Sequence, residues 1–299
     1  MNLLIEELMK KHGRSARQLS AGSERSIGAI LVDAGRMSVE DAERALRLQK
    51  ERGIRFGQAA VQLGLIDESD IQFALSHQFD YPCLLSDEKD ISDEIIAAYK
   101  PFSPQVEALR AVRSQLMLRW LDEDSEHKAL AVVSPSAGEG RSYLAANLAV
   151  VCSQLGEHTL LIDADMRTPR QHELFKLENQ VGLSSILAGR AEIGAVQRVK
   201  SLMDLSVLPA GPVPPNPQEL LSRPMFARLL EECAREFDVV IIDTPAGNAF
   251  GEAQIIALRA GGALMVVRRN QTRVRPLQAF TQKLNDANVM VVGSVLNEN

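Results

Sequence analysis

The sequence predicts an α/β protein with a doubly wound, mostly parallel sheet, preceded by a small α-helical domain built from a tandem repeat. Three observations predict this architecture. Residues 24–82 contain two similar segments at a fixed offset, residues 134–150 carry a glycine-rich turn that runs into a helix, and from residue 129 onward short apolar runs alternate with helix-length segments. Alternating strand and helix patterns are typical of βαβ units, in which parallel strands are buried on both faces.

The composition excludes several other classes of protein. With 45% hydrophobic residues among 299, the chain has enough apolar material for a packed core, which excludes disorder as the main state. Aromatic residues make up 4% and the net charge is -6, so we expect no nucleic-acid polymer as a partner. No apolar run approaches the roughly 18–20 residues that span a bilayer, and the three cysteines are scattered, so we expect a cytoplasmic protein.

The α-helical domain is predicted from its internal repeat. Segments 27–49 and 56–78 align with an offset of 29 residues, which pairs Gly28 with Gly57. In each copy a short apolar helix ends in a turn of small residues, and a cap that contains Ser or Asp then begins a second helix. A repeat at one fixed offset predicts a single domain made of two related helical units.

The predicted boundaries divide the chain into three parts: the helical repeat domain at 1–82, a linker at 83–104 and the α/β domain at 105–299. The linker is polar and contains proline, which favours a connection that docks one or two helices. Helical periodicity resumes at 105–121, immediately before the first predicted strand.

Six short apolar runs predict the strands of the sheet, and helix-length segments separate them. Continuous apolar runs are typical of strands that helices cover on both faces. The runs are ALAVVS, HTLLIDAD, DLSVLPAG, DVVIIDTP, GALMVVRR and VMVVGSVL.

A glycine-rich turn follows the first predicted strand. The segment SPSAGEGRSY is similar to the phosphate-binding pattern G-x-x-x-x-G-K-[ST], in which backbone N–H groups and a helix N-terminus face phosphate oxygens. Pro135 replaces the first glycine and Arg141 replaces the lysine, and an ordinary strand-to-helix loop is the alternative. The residues predicted to bind the nucleotide are Gly138, Glu139, Gly140, Arg141, Ser142 and Tyr143.

Three aspartates end two of the other predicted strands. Asp163 and Asp165 end the second run and Asp243 ends the fourth, so all three are expected at the carboxyl edge of the sheet, where open α/β sheets bind ligands. Carboxylates beside a phosphate loop repel one another unless a cation lies among them, and Mg²⁺ bridging nucleotide phosphates fits. Solvated aspartates that cap helices would explain each residue singly but not the group. A dinucleotide-binding turn is excluded because Tyr143 stands at the third glycine position.

From about residue 103 to residue 299 the sequence resembles the bacterial tyrosine kinases of exopolysaccharide chain-length control, a SIMIBI-type branch of the P-loop ATPases. Walker motifs alone would also suit a partitioning or cell-division ATPase, but two less generic segments separate the families. The matching segments are AGEGRS, LLIDADMR, VVIIDTP, the proline-rich PPNPQELL and the helical triplet Glu107, Arg110 and Arg113.

The resemblance implies cofactors and a role for each site residue. ATP and Mg²⁺ would be bound, with Ser142, Asp163 and Asp243 as the metal residues. Arg141 would replace the lysine that reaches the terminal phosphates, while Asp163 and Asp165 would orient the metal and the attacking hydroxyl. Arg141, Asp163 and Asp165 are therefore the expected catalytic residues. An arginine fork is wider than an ammonium group, so this replacement is not conservative.

The resemblance also implies partners. Members of the family act with a membrane-bound chain-length adaptor, which would place this chain at the inner membrane. The face formed by Glu107, Arg110 and Arg113 is similar to the family's oligomerisation motif and implies a homo-oligomer. A solvated stripe with modest ion pairs is the alternative for that face.

The tyrosines differ from the family pattern. Family members carry a C-terminal tyrosine cluster that is autophosphorylated, whereas this sequence ends in VVGSVLNEN. The expected acceptor is therefore a tyrosine of another protein, or else the domain is an ATP-dependent assembly switch without kinase activity. The tyrosines of this sequence are Tyr81, Tyr99 and Tyr143.

The N-terminal repeat resembles the cyclic-di-GMP-binding N-terminal domain of type II secretion and pilus-assembly ATPases. That domain has two tandem motifs of the form RLGxxLLxxGxL, and the second copy here matches with Arg55, Gly57 and Gly64. The first copy has Ser26 at the arginine position and Arg36 at an apolar position. The resemblance implies cyclic-di-GMP binding, and a docking module of the same fold without a ligand is the alternative.

Overall fold

The computed structural model describes residues 26–78, 84, 90–121 and 127–298. The chain divides into two compact units between Ser86 and Asp87. Residues 90–104, which the sequence analysis assigns to a linker, therefore belong to the second unit. Within the described ranges, no helix combines the length and the apolar character that crossing a membrane requires.

The first unit contains four helices that repeat as two pairs. The first helix of each pair spans seven residues, and the two begin 29 residues apart along the chain. Ser26 and Ser38 cap the first two helices, because their hydroxyl oxygens accept the N–H groups of Ala29 and Asp41. The helices are α1 (Ile27–Asp33), α2 (Val39–Arg52), α3 (Phe56–Gln62) and α4 (Glu68–Gln78).

The turns that end α1 and α3 have the same backbone geometry. Gly35 and Gly64 both lie in the left-handed region, with φ of 70° and 67°. In each turn the next residue donates its N–H to a carbonyl five positions earlier, from Arg36 to Leu31 at 2.9 Å and from Leu65 to Ala60 at 3.0 Å. This pairing closes the helix end. The predicted internal repeat is thus confirmed by the backbone.

The other paired glycines bring the helices of the first unit together. A Cβ atom on Gly28 would lie 3.0 Å from the Phe56 ring, and one on Gly57 would lie 3.0 Å from Cδ1 of Ile71. Each contact is tighter than side chains normally allow, so glycine permits the close packing of the small core. That core includes the buried residues Leu31, Ala45, Ala59, Ala60 and Ala74.

The second unit begins with two helices, α5 (Ile96–Tyr99) and α6 (Pro104–Arg119). The buried side chain of Asn147 holds the first of these helices in place. Its Oδ1 accepts the N–H of Ala97 at 3.0 Å, and its Nδ2 donates to the carbonyl of Glu94 at 3.1 Å. These bonds explain why the segment predicted as a linker packs on the α/β core.

A seven-stranded sheet forms the centre of the second unit. Its strand order is β3-β4-β2-β5-β1-β6-β7, and every neighbouring pair is parallel except β3 with β4. The predicted mostly parallel α/β sheet is confirmed. The two-residue strand β3 was not predicted, since it is too short to form an apolar run. The strands are β1 (Ala129–Val133), β2 (Thr159–Asp163), β3 (Gln197–Arg198), β4 (Leu205–Leu208), β5 (Val239–Asp243), β6 (Gly262–Arg268) and β7 (Met290–Asn297).

Helices and a short 3₁₀ turn (Ile193–Ala195) connect the strands. Because the parallel strands β1, β2 and β5 are neighbours, their carboxyl ends meet at one edge of the sheet. The helices that follow are α7 (Arg141–Ser153), α8 (Gln171–Leu174), α9 (Leu183–Leu187), α10 (Pro217–Ser222), α11 (Pro224–Glu236), α12 (Glu252–Ala260) and α13 (Val274–Asp286).

The single tryptophan of the sequence, Trp120, is built into this unit. It is buried, its Nε1 donates to the carbonyl of Ala129 at 3.0 Å, and its ring stacks on His127 with 4.2 Å between centroids. A Cβ atom on Gly262 would lie 2.4 Å from the indole. Only glycine therefore fits at the start of β6.

Candidate active site

The predicted phosphate loop connects β1 to α7 at the carboxyl edge of the sheet. Gly138 and Gly140 both have positive φ, 76° and 97°, and Gly140 is the N-cap of α7. This conformation favours glycine, which explains why the loop is glycine-rich. The thirteen-residue helix α7 directs its N-terminus toward the loop. Free N–H groups and a positive dipole end suit a phosphate.

The side chain of Arg141 points into the phosphate loop and binds residues of the loop itself. Its guanidinium is largely buried, with Nε donating to the carbonyl of Thr244 at 2.7 Å and Nη1 donating to the carbonyl of Ser136 at 2.7 Å. Nη1 also donates to the hydroxyl of Ser134. The cation therefore stabilises loop carbonyls in this conformation, and contact with a phosphate requires exchange of these bonds.

Glu139 and Tyr143 differ in how they could contact a nucleotide. The Glu139 carboxylate is fully buried and accepts hydrogen bonds from the N–H of Ser136 at 2.8 Å and the hydroxyl of Thr272 at 2.5 Å. The Glu139 carboxylate therefore links the phosphate loop to the loop after β6, and only the main chain of Glu139 is available to a phosphate. Tyr143 is half-buried on α7, where burial first and the charge of Glu94 second raise the pKa of its phenol.

Asp163 and Asp243 lie side by side at the ends of β2 and β5. They are register partners in the parallel ladder, and both are fully buried. Asp163 Oδ2 accepts the N–H groups of Arg170 and Gln171, both at 2.9 Å. Among the described residues, Oδ1 of each aspartate has no hydrogen-bond partner. Two buried carboxylates with one unsatisfied oxygen each are a suitable place for a cation.

Burial raises the pKa of both carboxyl groups. For Asp163 the neighbouring Asp243 charge adds to this effect, and two backbone N–H groups oppose it. For Asp243 hydrogen bonds from Ser142 and Gln171 and the charge of Arg141 oppose it. The pair thus resists holding two negative charges unless a positive group compensates them.

Asp165 has a different environment from its two neighbours. Its Oδ1 accepts the N–H groups of Arg167 at 3.1 Å and Thr168 at 3.0 Å, and its Oδ2 accepts the Thr168 hydroxyl at 3.0 Å. Both oxygens are engaged, so Asp165 shapes the turn after β2. The structure thus places the three predicted aspartates together, but only Asp165 has hydrogen-bond partners for both carboxylate oxygens among the described residues.

Gln171 is a site residue that the sequence analysis missed. It is fully buried, its Nε2 donates to Asp243 Oδ2 at 2.8 Å and to the carbonyl of Ser142 at 3.2 Å, and its Oε1 lacks a partner among the described residues. The residue therefore joins the phosphate-loop helix to both strand-end aspartates. No helical pattern marks it, because it begins the four-residue helix α8, which is too short to show apolar periodicity.

The loop after β6 and the end of β7 also support the phosphate loop, and the sequence analysis missed these residues too. Arg268 Nη1 donates to the carbonyl of Gly138 at 2.8 Å, and Asn297 Nδ2 donates to the carbonyl of Glu139 at 3.2 Å. They are more than a hundred positions from the loop along the chain, so only the sheet topology brings them there.

The residues fit Mg²⁺ that arrives with a nucleotide better than a metal held by protein alone. In the part of the chain that the structure describes, no group of three or more His, Cys, Asp or Glu side chains could hold a metal ion. Mg²⁺ typically takes one or two carboxylates and completes its shell with phosphate oxygens and waters. The unsatisfied oxygens of Asp163 and Asp243 match that requirement.

The triplet on α6 is divided between two environments. Arg110 pairs with Glu107 at 3.0 Å, and the Glu107 side chain is 72% exposed. Arg113 instead turns inward, and its Nη1 donates to the carbonyl of Val151 near the end of α7 at 2.7 Å. The three residues thus do not form one uniform exposed stripe.

Arg55, the motif arginine of the repeat, and Arg36, which stands at an apolar motif position, have different environments. Arg55 is exposed at the N-cap of α3. Arg36 pairs with Asp70 at 2.7 Å and lies over the Phe73 ring at 4.4 Å. Arg36 is therefore held by contacts within the repeat, a salt bridge and a cation–π interaction, whereas Arg55 faces solvent.

Comparison with known proteins identifies similar sequences and folds. A family model described as an AAA domain matches residues 127–288. Tyrosine-protein kinase YwqD of Bacillus subtilis is 36% identical over 203 residues, which cover 68% of this chain and 85% of that protein.

Two solved structures are similar over more than two thirds of the chain. The crystal structure of the chimerical protein CapA2B2 has a TM-score of 0.65 and 34% identity, and the match covers 75% of this chain and 96% of that chain. The kinase domain of the Escherichia coli tyrosine kinase ETK has a TM-score of 0.65 and 33% identity, with 68% and 79% covered.

Proposed function

The chain belongs to the family of bacterial P-loop tyrosine kinases, and from that premise we propose that it transfers the γ-phosphoryl group of ATP to a tyrosine of a partner protein. The observation that carries the proposal is the buried pair Asp163 and Asp243, whose unsatisfied oxygens lie beside a phosphate loop. Both oxygens lie on register partners at the carboxyl ends of neighbouring strands, which is where open α/β sheets bind ligands.

Each site residue then has a defined task. The N–H groups from Gly138 to Tyr143 bind phosphate oxygens, and the Ser142 hydroxyl with Asp163 and Asp243 holds Mg²⁺. Mg²⁺, when bound, would supply the positive charge that compensates the phosphate oxygens. Asp163 and Asp165 would orient the attacking hydroxyl. Its oxygen would bond to the γ-phosphorus as the bond to ADP breaks, and its proton would pass to a carboxylate oxygen of one of these two aspartates. Phosphoryl transfer depends mainly on this positioning and charge compensation.

Arg141 supports a second candidate function, an ATP-dependent assembly switch that binds nucleotide without phosphoryl transfer. Its guanidinium already donates to two acceptors in the loop, on Ser134 and Ser136, and to the carbonyl of Thr244 after β5. These bonds must be exchanged before it can reach a terminal phosphate. ATP binding and oligomerisation without phosphotyrosine, even with the adaptor present, would select this function.

The acceptor is proposed to be a tyrosine of another chain. Tyr99 donates its hydroxyl hydrogen to the carbonyl of Ile91 at 2.9 Å, and Tyr143 lies half-buried in α7. Tyr81 lies outside the described residues. The two described phenols are therefore engaged in the fold of the second unit.

The cellular role is proposed from the family. The protein would regulate exopolysaccharide chain length or export at the inner membrane through an adaptor. It would act as a homo-oligomer whose contacts include Glu107 and Arg110, while Arg113 supports the helix from within. The test is mass spectrometry for phosphotyrosine after co-expression with the adaptor, together with ATP turnover of the purified pair. Absence of any ATP affinity would refute the kinase and the switch alike.

Cyclic-di-GMP is proposed as a ligand of the repeat, supported by the exposed Arg55 and by the two equivalent glycine turns. Calorimetry on the full chain, with Arg55→Ala as the comparison, tests it. Binding by the unmodified chain that Arg55→Ala weakens supports the proposal. No heat at high micromolar ligand removes it.

A further inference from the structure

A groove lies beside the proposed active site, at the same edge of the sheet. It follows the carboxyl end of β4, which pairs in parallel with β2, the strand that ends at Asp163. Its two lobes have volumes of about 410 and 560 Å³ and share Pro215 and Asn216. These volumes fall within the roughly 300–1,000 Å³ typical of ligand sites.

The groove has a preformed wall. The N–H groups of Leu183 and Ser184 donate to the carbonyls of Pro209 and Ala210, both at 2.8 Å, and the Ser184 hydroxyl donates to the carbonyl of Pro212 at 2.7 Å. Proline restricts the backbone of the segment that follows, which lowers the entropy lost when a ligand binds. That segment contains Pro214, Pro215 and Pro217.

The first lobe is cationic. Arg190 and Arg223 line it and are exposed, and no acidic residue lines it. Arg223 makes one long hydrogen bond, from Nη1 to the carbonyl of Leu187 at 3.3 Å. Within the described ranges, neither arginine has a carboxylate within salt-bridge distance. Although the whole chain has a net charge of -6, this lobe therefore presents two cations to a ligand.

The second lobe leads toward the reacting groups. Arg167 and Glu219 line this lobe, and the Glu219 carboxylate accepts a hydrogen bond from the Asn216 amide. Arg167 pairs with Glu252 at 2.6 Å and donates its backbone N–H to Asp165 at 3.1 Å. A chain that lies along the groove would therefore pass from Arg190 and Arg223 to Arg167, whose backbone N–H holds the carboxylate of Asp165.

We propose that this groove binds an acidic segment next to the acceptor tyrosine of the substrate protein. The inference rests on the proposed kinase function and assigns its substrate class: tyrosines flanked by glutamate or aspartate. Arg190 and Arg223 would pair with the flanking carboxylates, while the proline wall would contact the apolar parts of the segment. Charge complementarity of this kind favours the matching partner and disfavours a basic one.

The test measures peptide binding by the full chain without any phosphoryl transfer. Two labelled peptides are compared by fluorescence anisotropy, one with glutamates around a single tyrosine and one with lysines in their place. We expect tighter binding of the acidic peptide. We also expect the double variant Arg190→Glu, Arg223→Glu to weaken it about tenfold or more, since like charges then face each other.

Controls separate this proposal from the kinase proposal. Arg259→Glu changes an exposed arginine of α12 outside the groove and should leave the affinity unchanged. The ATP affinity and the melting temperature of each variant show whether the fold and the nucleotide site persist. If the charge-reversed double variant does not fold, the neutral double variant Arg190→Gln, Arg223→Gln replaces it in the peptide-binding measurement. The groove assignment would be overturned if both peptides bound with equal affinity, or if Arg259→Glu weakened binding as much as the double groove variant. It would also be overturned if the double variant changed the oligomer mass but not the peptide affinity. The kinase proposal would stand in each case.

Discussion

The two buried aspartates couple the stability of the fold to its chemistry. Because burial raises the pKa of Asp163 and Asp243, the folded chain holds more protons than the unfolded chain from about pH 4, the usual unfolded value, up to the raised native values. The free energy of unfolding therefore falls as pH rises through that window. Without a cation, the site opposes folding at neutral pH.

We expect Asp243→Asn to raise the free energy of unfolding of the metal-free chain at pH 7, by about 1–3 kcal/mol, because a buried charge is removed. The same variant should lose Mg²⁺-dependent ATP binding. Thermal melts across pH 5–8 and calorimetry measure the two effects, with the exposed Asp286→Asn as control. A variant that melts lower and still binds ATP with Mg²⁺ would contradict this account.

Gln171 should control the affinity for Mg²⁺, because its amide holds Asp243 and its backbone holds Asp163. Removal of a partner of a metal ligand commonly weakens metal binding 10–100-fold. We expect Gln171→Leu to raise the half-saturating Mg²⁺ concentration for ATP binding by about tenfold. The exposed Gln282→Leu on α13 is the matched control. An unchanged Mg²⁺ dependence would reduce Gln171 to a packing role.

These residues differ in how far the sequence could identify them. Asp163 and Asp243 each end an apolar run, so the strand pattern itself predicts their position at the carboxyl edge. Gln171 follows a proline-containing loop without periodicity, and its two contacts are 29 and 72 positions away. Only the folded backbone brings such residues together.

At the scale of elements, the two turns of the repeat need glycine because their backbone lies in the left-handed region. Gly64 has φ of 67° and open space around it, so an added methyl group meets only backbone strain. We expect Gly64→Ala to lower the free energy of unfolding by about 1–2 kcal/mol. Gly194→Ala is the control, because its φ is ordinary and its surroundings are open. Urea denaturation followed by circular dichroism compares the two, and equal losses would contradict the turn assignment.

Helix α6 combines two separable roles. Arg113 Nη1 holds the carbonyl of Val151, whereas Glu107 is exposed. We expect Arg113→Ala to lower the melting temperature, since a buried carbonyl loses its donor. Glu107→Ala should leave stability within about 0.5 kcal/mol and reduce the oligomer mass in light scattering. The opposite pattern would show that Arg113 forms the subunit contact and Glu107 supports the fold.

The elements themselves were largely predictable, for physical reasons. Strands covered on both faces must be apolar throughout, so six of them appear as continuous runs. Strand β3 has two residues, one exposed and one half-buried, and forms only when it pairs antiparallel with β4. The contacts that hold α5 on the α/β core could not be predicted, because the buried Asn147 that anchors this helix lies about fifty positions away.

At the scale of the whole molecule, nucleotide binding should stabilise the fold by mass action. The site contains buried carboxylates that repel each other unless a cation lies between them. Because only the folded chain assembles this site, Mg²⁺ with ATP should bind the folded state and not the unfolded state. At a ligand concentration of 100 times Kd we expect the free energy of unfolding to rise by about 2.7 kcal/mol. Melts with ATP plus Mg²⁺, ATP plus EDTA, and no ligand measure this, and equal stabilisation with EDTA would contradict a metal-linked site.

The placement of Trp120 gives the molecule a natural optical reporter. The single indole of the 299 residues stacks on His127 and bonds to β1, entirely within the second unit. Its fluorescence therefore follows the unfolding of the kinase unit, while the helical repeat is spectroscopically silent at that wavelength. A difference between the tryptophan transition and the far-ultraviolet circular dichroism transition would measure how independently the two units melt, without any label.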